Sequence, residues 1–164
     1  MGDGKLEHAR WILERNLHWI AVVETKTAVI LSIDTALLGA LAVAFSDLTA
    51  NERTVCSVIV GVLAAIPIAA SMIYGALAVW PQTDGPPTSF IFFGKIKNWS
   101  ADKYRAEYGA ATDDRFLTDC LDQIHRNAEI ACLKYGRIAT SMKLAFLSLP
   151  LWLMAIGMLV AARS

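Results

Sequence analysis

Three long apolar runs, almost free of charge, decide what this chain can fold into. Val55–Trp80 and Leu144–Ala162 contain no charged residue, and Thr27–Phe45 is interrupted only by Ser32, Asp34 and Thr35. Each is about as long as the 17–25 residues an α-helix needs to cross roughly 30 Å of hydrocarbon. A water-soluble fold would have to bury such helices, and a chain of 164 residues has almost nothing left to cover three of them. Composition agrees, at 55% hydrophobic against about 45–50% for soluble domains. The expected fold is an all-α membrane protein, a single membrane domain over 1–164 with three transmembrane helices at about 27–45, 55–80 and 144–162.

The N-terminal stretch carries Lys5, Glu7, Arg10, Glu14, Arg15 and Glu24. That is too much charge for the apolar core of a signal peptide, so the first run is expected to stay as a membrane anchor. Lys and Arg then set the orientation. Four precede the first run, one (Arg53) lies between the first two, nine lie between the second and third, and one (Arg163) follows. With three spans, the N-terminus and the middle segment share a side. That side holds thirteen of the fifteen cations, so 1–26 and 81–143 are expected in the cytoplasm, with Trp80 and Trp99 near the inner interface.

Within the cytoplasmic parts, Leu6, Ala9, Leu13, Leu17 and Ile20 recur at helical spacing. No Gly or Pro separates Lys5 from the first span, so this N-terminal helix is expected to run into it. Pro81–Ser89 (PQTDGPPTS) ends the second helix. Phe90–Gly94 is a short aromatic patch, and Ser100 can begin a helix over Ala101–Tyr108. Asp113 and Asp114 suit a helix N-terminus. From there Leu117, Leu121, Ile124, Ala128, Ala131, Tyr135, Ile138 and Met142 alternate by fours and threes, and Ala145, Leu149, Trp152, Ile156 and Leu159 keep the phase. That pattern predicts one long C-terminal helix continuous with the third span, its seam against a neighbour, with a kink at Pro150.

Candidate chemistry is sparse. Asp34 lies inside the first span, where a charge costs at least ~2.5 kcal/mol. It is read either as a pore-lining or inter-helix polar group reaching Ser71 or Tyr74, or as a carboxyl bonded to its own helix or snorkelling to the interface. Gln123, Asn127, Lys134, Arg137 and Ser141 form a polar stripe on the long helix, with His125 and Arg126 nearby. Glu24 and Lys26 close the N-terminal helix, and Lys95, Lys97 and Asn98 follow the aromatic patch. Cations bind phosphate, amides read base edges and aromatics stack on bases, so a nucleotide pocket can be assembled from these parts. On spacing alone the default is a solvated face. Cys56, Cys120 and Cys132 show no CxxC and read as small buried residues. There is no GxSxG, Walker A loop or HExxH, so no enzyme, metal or cofactor is expected.

Three stretches together resemble the Pycsar transmembrane effectors, the membrane partners of bacterial pyrimidine cyclases in antiphage defence. They are His18-Trp19-Ile20 with Glu24-Thr25-Lys26-Thr27-Ala28, Phe92-Phe93-Gly94-Lys95-Ile96 with Ser100 and Tyr104, and Asp122-Gln123-Ile124 with Lys134-Tyr135. In their order and layout they cover nearly the whole chain. Two departures stand out: Glu24 occupies a position where the family pattern has Asp, and Thr27 interrupts its Lys-Ala pair. The resemblance implies a sensor of a cyclic pyrimidine mononucleotide, cCMP or cUMP, acting on the lipid bilayer as a homo-oligomer, with no DNA or RNA partner. Membrane disruption and abortive infection would follow from binding. The implied ligand-binding residues are Glu24, Lys26, Phe93, Lys95, Asn98, Gln123, Asn127, Lys134 and Tyr135, with Asp34 the polar residue of the membrane part. The competing readings are a ligand-independent membrane scaffold and a holin-like pore former.

Overall fold

The computed structural model describes residues 3–49 and 54–162; Arg53 and Arg163 of the charge count lie outside them. Five helices occur among the described residues: α1 (Asp3–Ser46), α2 (Val55–Val79), α3 (Phe93–Ile96), α4 (Ala101–Ala110) and α5 (Asp113–Ala161). Three of them, α1, α2 and α5, are long and apolar enough to cross a membrane. Local chemistry explains the boundaries. The Thr54 hydroxyl accepts from the Ser57 N–H at 3.1 Å to open α2, and Ser100 caps α4 through the Lys103 N–H at 3.2 Å. Asp113 and Asp114 sit in the first turn of α5. The proline-rich stretch after Trp80 forms no helix until Phe93. Pro67 and Pro150 lie inside α2 and α5, and both helices continue through them.

The chain forms two packed units, Met1–Val23 with Pro81–Leu133, and Glu24–Trp80 with Lys134–Ser164. The backbones of α1 and α5 contribute to both. In the second unit much of the interior is small or polar, with Thr27, Asp34, Ser57, Ala64, Ser71, Ser141, Ser148 and Ala155 buried beside Ile68 and Ile138. Large apolar side chains such as Val29, Ile33, Ile66, Ile73, Phe146, Leu147 and Leu153 point outward. Small residues bring the helices close. A Cβ on Gly61 would collide with the Phe45 ring, and one on Gly75 would come 2.8 Å from Leu31 Cδ2. An apolar cluster of Leu41, Leu48, Val60, Ala64, Ala155 and Leu159 closes one end. Buried hydroxyls and a carboxyl under an outer coat of Val, Ile, Leu and Phe suit surroundings that are themselves apolar, as those of a membrane bundle are.

In the first unit, the segment before α3 is pinned to α5 through Ser89. Its hydroxyl donates to Asp119 Oδ2 at 3.1 Å and accepts from the Ile91 and Phe92 N–H groups and from Gln123 Nε2 at 3.0 Å. Asp119 Oδ2 also receives the Phe90 N–H at 2.6 Å. Arg126 grips Asp84 at 2.8 Å. On α1, Asn16 donates to the Ile124 carbonyl of α5 at 3.0 Å.

These contacts correct the expected seams. On α5 the buried line runs through Asp119, Cys120, Gln123, Ile130, Lys134, Ile138, Ser141, Ser148, Ala155 and Leu159, while Leu121 and Met142 are 51% and 41% exposed. Ile138 and Leu159 of the expected seam lie on this line; elsewhere it runs about one residue away from the apolar stripe. Gln123, Lys134 and Ser141 take the inside beside Ile130, Ile138, Ala155 and Leu159, each of the three polar residues with a partner on another segment. On α1, Leu17 is likewise half exposed and Asn16 turns inward. The cysteines divide: Cys120 is buried, Cys56 and Cys132 are exposed, and all three are free.

Candidate functional site

In the second unit, Lys134 is 3% exposed. Its ammonium donates to Glu24 Oε1 at 2.8 Å and to the Ala78 carbonyl at 2.9 Å. Arg137 donates to the carbonyl of Leu77. The last carbonyls of a helix lack intrahelical partners, and α2 has no basic residue in its own last turn. Two cations from α5 cap it instead, and Glu24 balances one of them. Far from being a solvated stripe, Lys134 and Arg137 hold the end of α2.

Deeper in the bundle, the Ser71 hydroxyl donates to Asp34 Oδ2 at 2.6 Å and lies 2.9 Å from both the carbonyl and the hydroxyl oxygen of Ser141. Asp34 is wholly buried and its Oδ1 has no partner among the described residues. Of the expected partners, Ser71 is the one reached; Tyr74 is exposed. The Ser71 hydroxyl therefore joins three helices at one point, and the Asp34 carboxyl bonded to it does not snorkel.

The remaining sequence-selected residues are dispersed. Lys26 is exposed and Tyr135 half-buried in the second unit. In the first, Phe93 is exposed, Lys95 is half-buried, and Asn98 turns back onto the Gly94 carbonyl at 3.2 Å. Gln123 is buried against Ser89 and Asn127 is half-buried. Within the second unit the structure joins Glu24 to Lys134.

What the sequence reading missed is a closed circuit of five aromatic rings in the first unit. Phe90 packs on Trp99 at 5.8 Å, Trp99 on Tyr104 at 6.2 Å, Tyr104 on Tyr108 at 6.0 Å, Tyr108 on Phe116 at 5.1 Å and Phe116 on Phe90 at 5.7 Å. The Tyr104 hydroxyl donates to the Phe90 carbonyl at 3.1 Å. Two cavities border this cluster. One, of about 560 Å³, is rimmed by Glu107, Asp114, Asp119 and Asp122 with Lys103 and Arg115. The other, of about 330 Å³, lies between α1 and the rings of Phe90, Tyr104, Tyr108 and Phe116, with Arg10, Glu14 and Cys120 in its wall. Burial, then the charge of Asp119, pushes the Cys120 thiol up, and Arg10 opposes them. The sequence signals for this region were the i, i+4 pairs Arg10–Glu14 and Tyr104–Tyr108, which place each pair on one helical face.

Comparison with curated proteins and with solved structures finds no match. The family model for the Pycsar effector protein domain matches residues 8–161, which takes in all three apolar helices and most of both units. Effector domains of this family disrupt membranes and are not enzymes. With its bundle of three candidate spans and its other, aromatic-cored unit, the chain belongs to the Pycsar effectors, the membrane effectors that a cyclic-nucleotide signal triggers in antiphage defence.

Proposed function

We propose that the chain answers a cyclic pyrimidine mononucleotide, cCMP or cUMP, made by a partner cyclase during infection. In this reading it lies in the bacterial inner membrane with its N-terminus in the cytoplasm, where 1–26 and 81–143 hold thirteen of the fifteen cations. The observation that carries the reading is the first unit itself. A large part of the chain is spent on this separate packed unit with its own aromatic core and cavities, which a holin-like pore former or a passive anchor has no use for.

Ligand binding there must shift an equilibrium in the membrane bundle. Moving a two-state protein from about 1:99 to 99:1 takes roughly 5.5 kcal/mol of differential affinity. Of the expected site residues, Gln123 supports the sensing unit through Ser89, and Glu24 and Lys134 belong to the bundle that responds. That bundle has Ala64, Ile68, Ser71, Ser141 and Ala155 fully buried at its centre, leaving no lumen inside one chain. Membrane disruption is therefore assigned to a homo-oligomer.

The test is calorimetric titration of the detergent-purified chain with cCMP, cUMP, cAMP and cGMP, followed by dye release from proteoliposomes. Micromolar binding of one pyrimidine nucleotide, with release only when it is present, is expected. Release without any nucleotide would replace this reading with the holin-like one.

A further inference from the structure

We propose that the cavity between α1 and the aromatic circuit is the ligand site, with Arg10 holding a cyclic phosphate and the Tyr104, Tyr108 and Phe116 rings receiving the base. The proposal rests on the reading that the signal is a cyclic pyrimidine mononucleotide, and it names where that ligand sits.

Size and chemistry both select this cavity. At about 330 Å³ it is at the lower end of the range of small-molecule pockets, roughly 300–1,000 Å³, which suits a single nucleotide. Arg10 stands in its wall and takes no hydrogen bond or ion pair among the described residues, although Glu14 lies one turn further along the same face. Its guanidinium is close enough to Cys120 to lower that thiol's pKa against the effect of burial, so its charge acts on the cavity. A planar fork of N–H donors matches two phosphate oxygens. Glu14 is an acceptor for an amino or imino N–H on a base edge. Tyr108 is half exposed and offers a face on which a base can stack.

The larger cavity on the far side of Phe90 is the weaker candidate on charge. Four carboxylates line it against two cations. Arg115 is already paired with Glu107 at 3.2 Å and stacked over Phe90 at 4.4 Å, and Lys103 lies over Trp99. A phosphodiester entering there meets a net negative wall.

Calorimetry on the full chain in detergent, with cCMP and cUMP, separates the possibilities. Arg10→Ala is expected to weaken binding by about 10- to 100-fold, as loss of charged hydrogen bonds does, and Arg10→Lys to recover only part of it. Because Arg10 is exposed and unbonded, its variants should keep the wild-type melting temperature. Tyr108→Ser should weaken binding by about 5- to 100-fold through lost stacking, and Lys103→Ala by less than about 2-fold. If the wild type binds a pyrimidine nucleotide and Arg10→Ala binds it equally well, this site is wrong while the function stands. Loss confined to Lys103→Ala would move the site to the acidic cavity. If the wild type binds neither nucleotide, the ligand reading falls and this assignment falls with it.

Discussion

The Lys134 ammonium sits 2.8 Å from Glu24 Oε1 and 2.9 Å from the Ala78 carbonyl, tying α1, α2 and α5 together through one side chain that is 3% exposed. Glu24, by contrast, is 47% exposed. The asymmetry predicts unequal losses. Lys134→Met strips α2 of a cap and leaves Glu24 without its partner; about 2–4 kcal/mol of stability should go, somewhat less than the roughly 3–5 kcal/mol of a wholly buried pair because the carboxylate left behind is half-solvated. Glu24→Gln keeps a hydrogen-bond acceptor in a half-solvated place and should cost about 1–2 kcal/mol. Thermal unfolding in detergent checks both. Equal melting temperatures for wild type and Lys134→Met would show that the pair holds nothing.

Ser89 carries a comparable burden in the first unit. One hydroxyl serves Asp119, Gln123 and two backbone N–H groups. Ser89→Ala removes these together and leaves buried polar atoms unpaired, which should cost about 2–4 kcal/mol. Trp99 lies in the aromatic circuit next to Phe90, so its fluorescence reports whether that unit loosens. An unchanged spectrum and melting temperature would count against the hub.

In the membrane bundle, the single hydroxyl hydrogen of Ser71 faces two acceptors, Asp34 Oδ2 and the Ser141 carbonyl. Asp34→Asn supplies an N–H to Ser71, frees that hydrogen for Ser141, and removes an ionisable group from an apolar setting whose charged form costs at least ~2.5 kcal/mol. The variant should be more stable by about 1–2 kcal/mol. A lower melting temperature would mean that the carboxyl makes a contact an amide cannot replace.

How much of this was legible in sequence follows from what each signal measures. Uncharged length locates membrane helices whatever they pack against, so α1, α2 and α5 were readable, as were the Ser100 cap and the acid pair that opens α5. Apolar periodicity finds the face turned away from water. In a membrane the surroundings are apolar too, and that inference fails: within the third span Leu147 and Leu153 face outward while Ser148 is buried. Asp34 was readable as costly, and its partner Ser71 was one of two named, because few polar groups share its depth. The aromatic circuit was not legible. Phe90 and Trp99 flank α3, Tyr104 and Tyr108 come from α4 and Phe116 from α5; helical spacing joins the two tyrosines and nothing local joins the rest.

Cys120 gives a pH-dependent prediction. Its thiol is buried beside Asp119 and its pKa is raised in the folded protein. The folded state therefore holds this proton more tightly than the unfolded state does. The stability from keeping Cys120 neutral is full below the ordinary thiol pKa and is lost as pH climbs from there through the raised folded value. At pH 8 maleimide should modify the exposed Cys56 and Cys132 well before Cys120. Arg10→Ala removes the cation that opposes the shift and should slow Cys120 further at alkaline pH. Labelling of all three at one rate would contradict the burial.

The same exposed pair tests the orientation. Cys56 is the second residue of α2, next to the short connection from α1, and Cys132 lies on α5 well before the apolar run that begins at Leu144. If the cation-rich parts face the cytoplasm, a membrane-impermeant maleimide added to intact spheroplasts reaches Cys56 and spares Cys132. After permeabilisation it reaches both. Single-cysteine variants keep the two signals apart, with Cys120 replaced by Ser in each. Cys132 modified in intact cells, with Cys56 protected, would invert the topology and place the aromatic cavity on the outer side, beyond the reach of a nucleotide made in the cytoplasm.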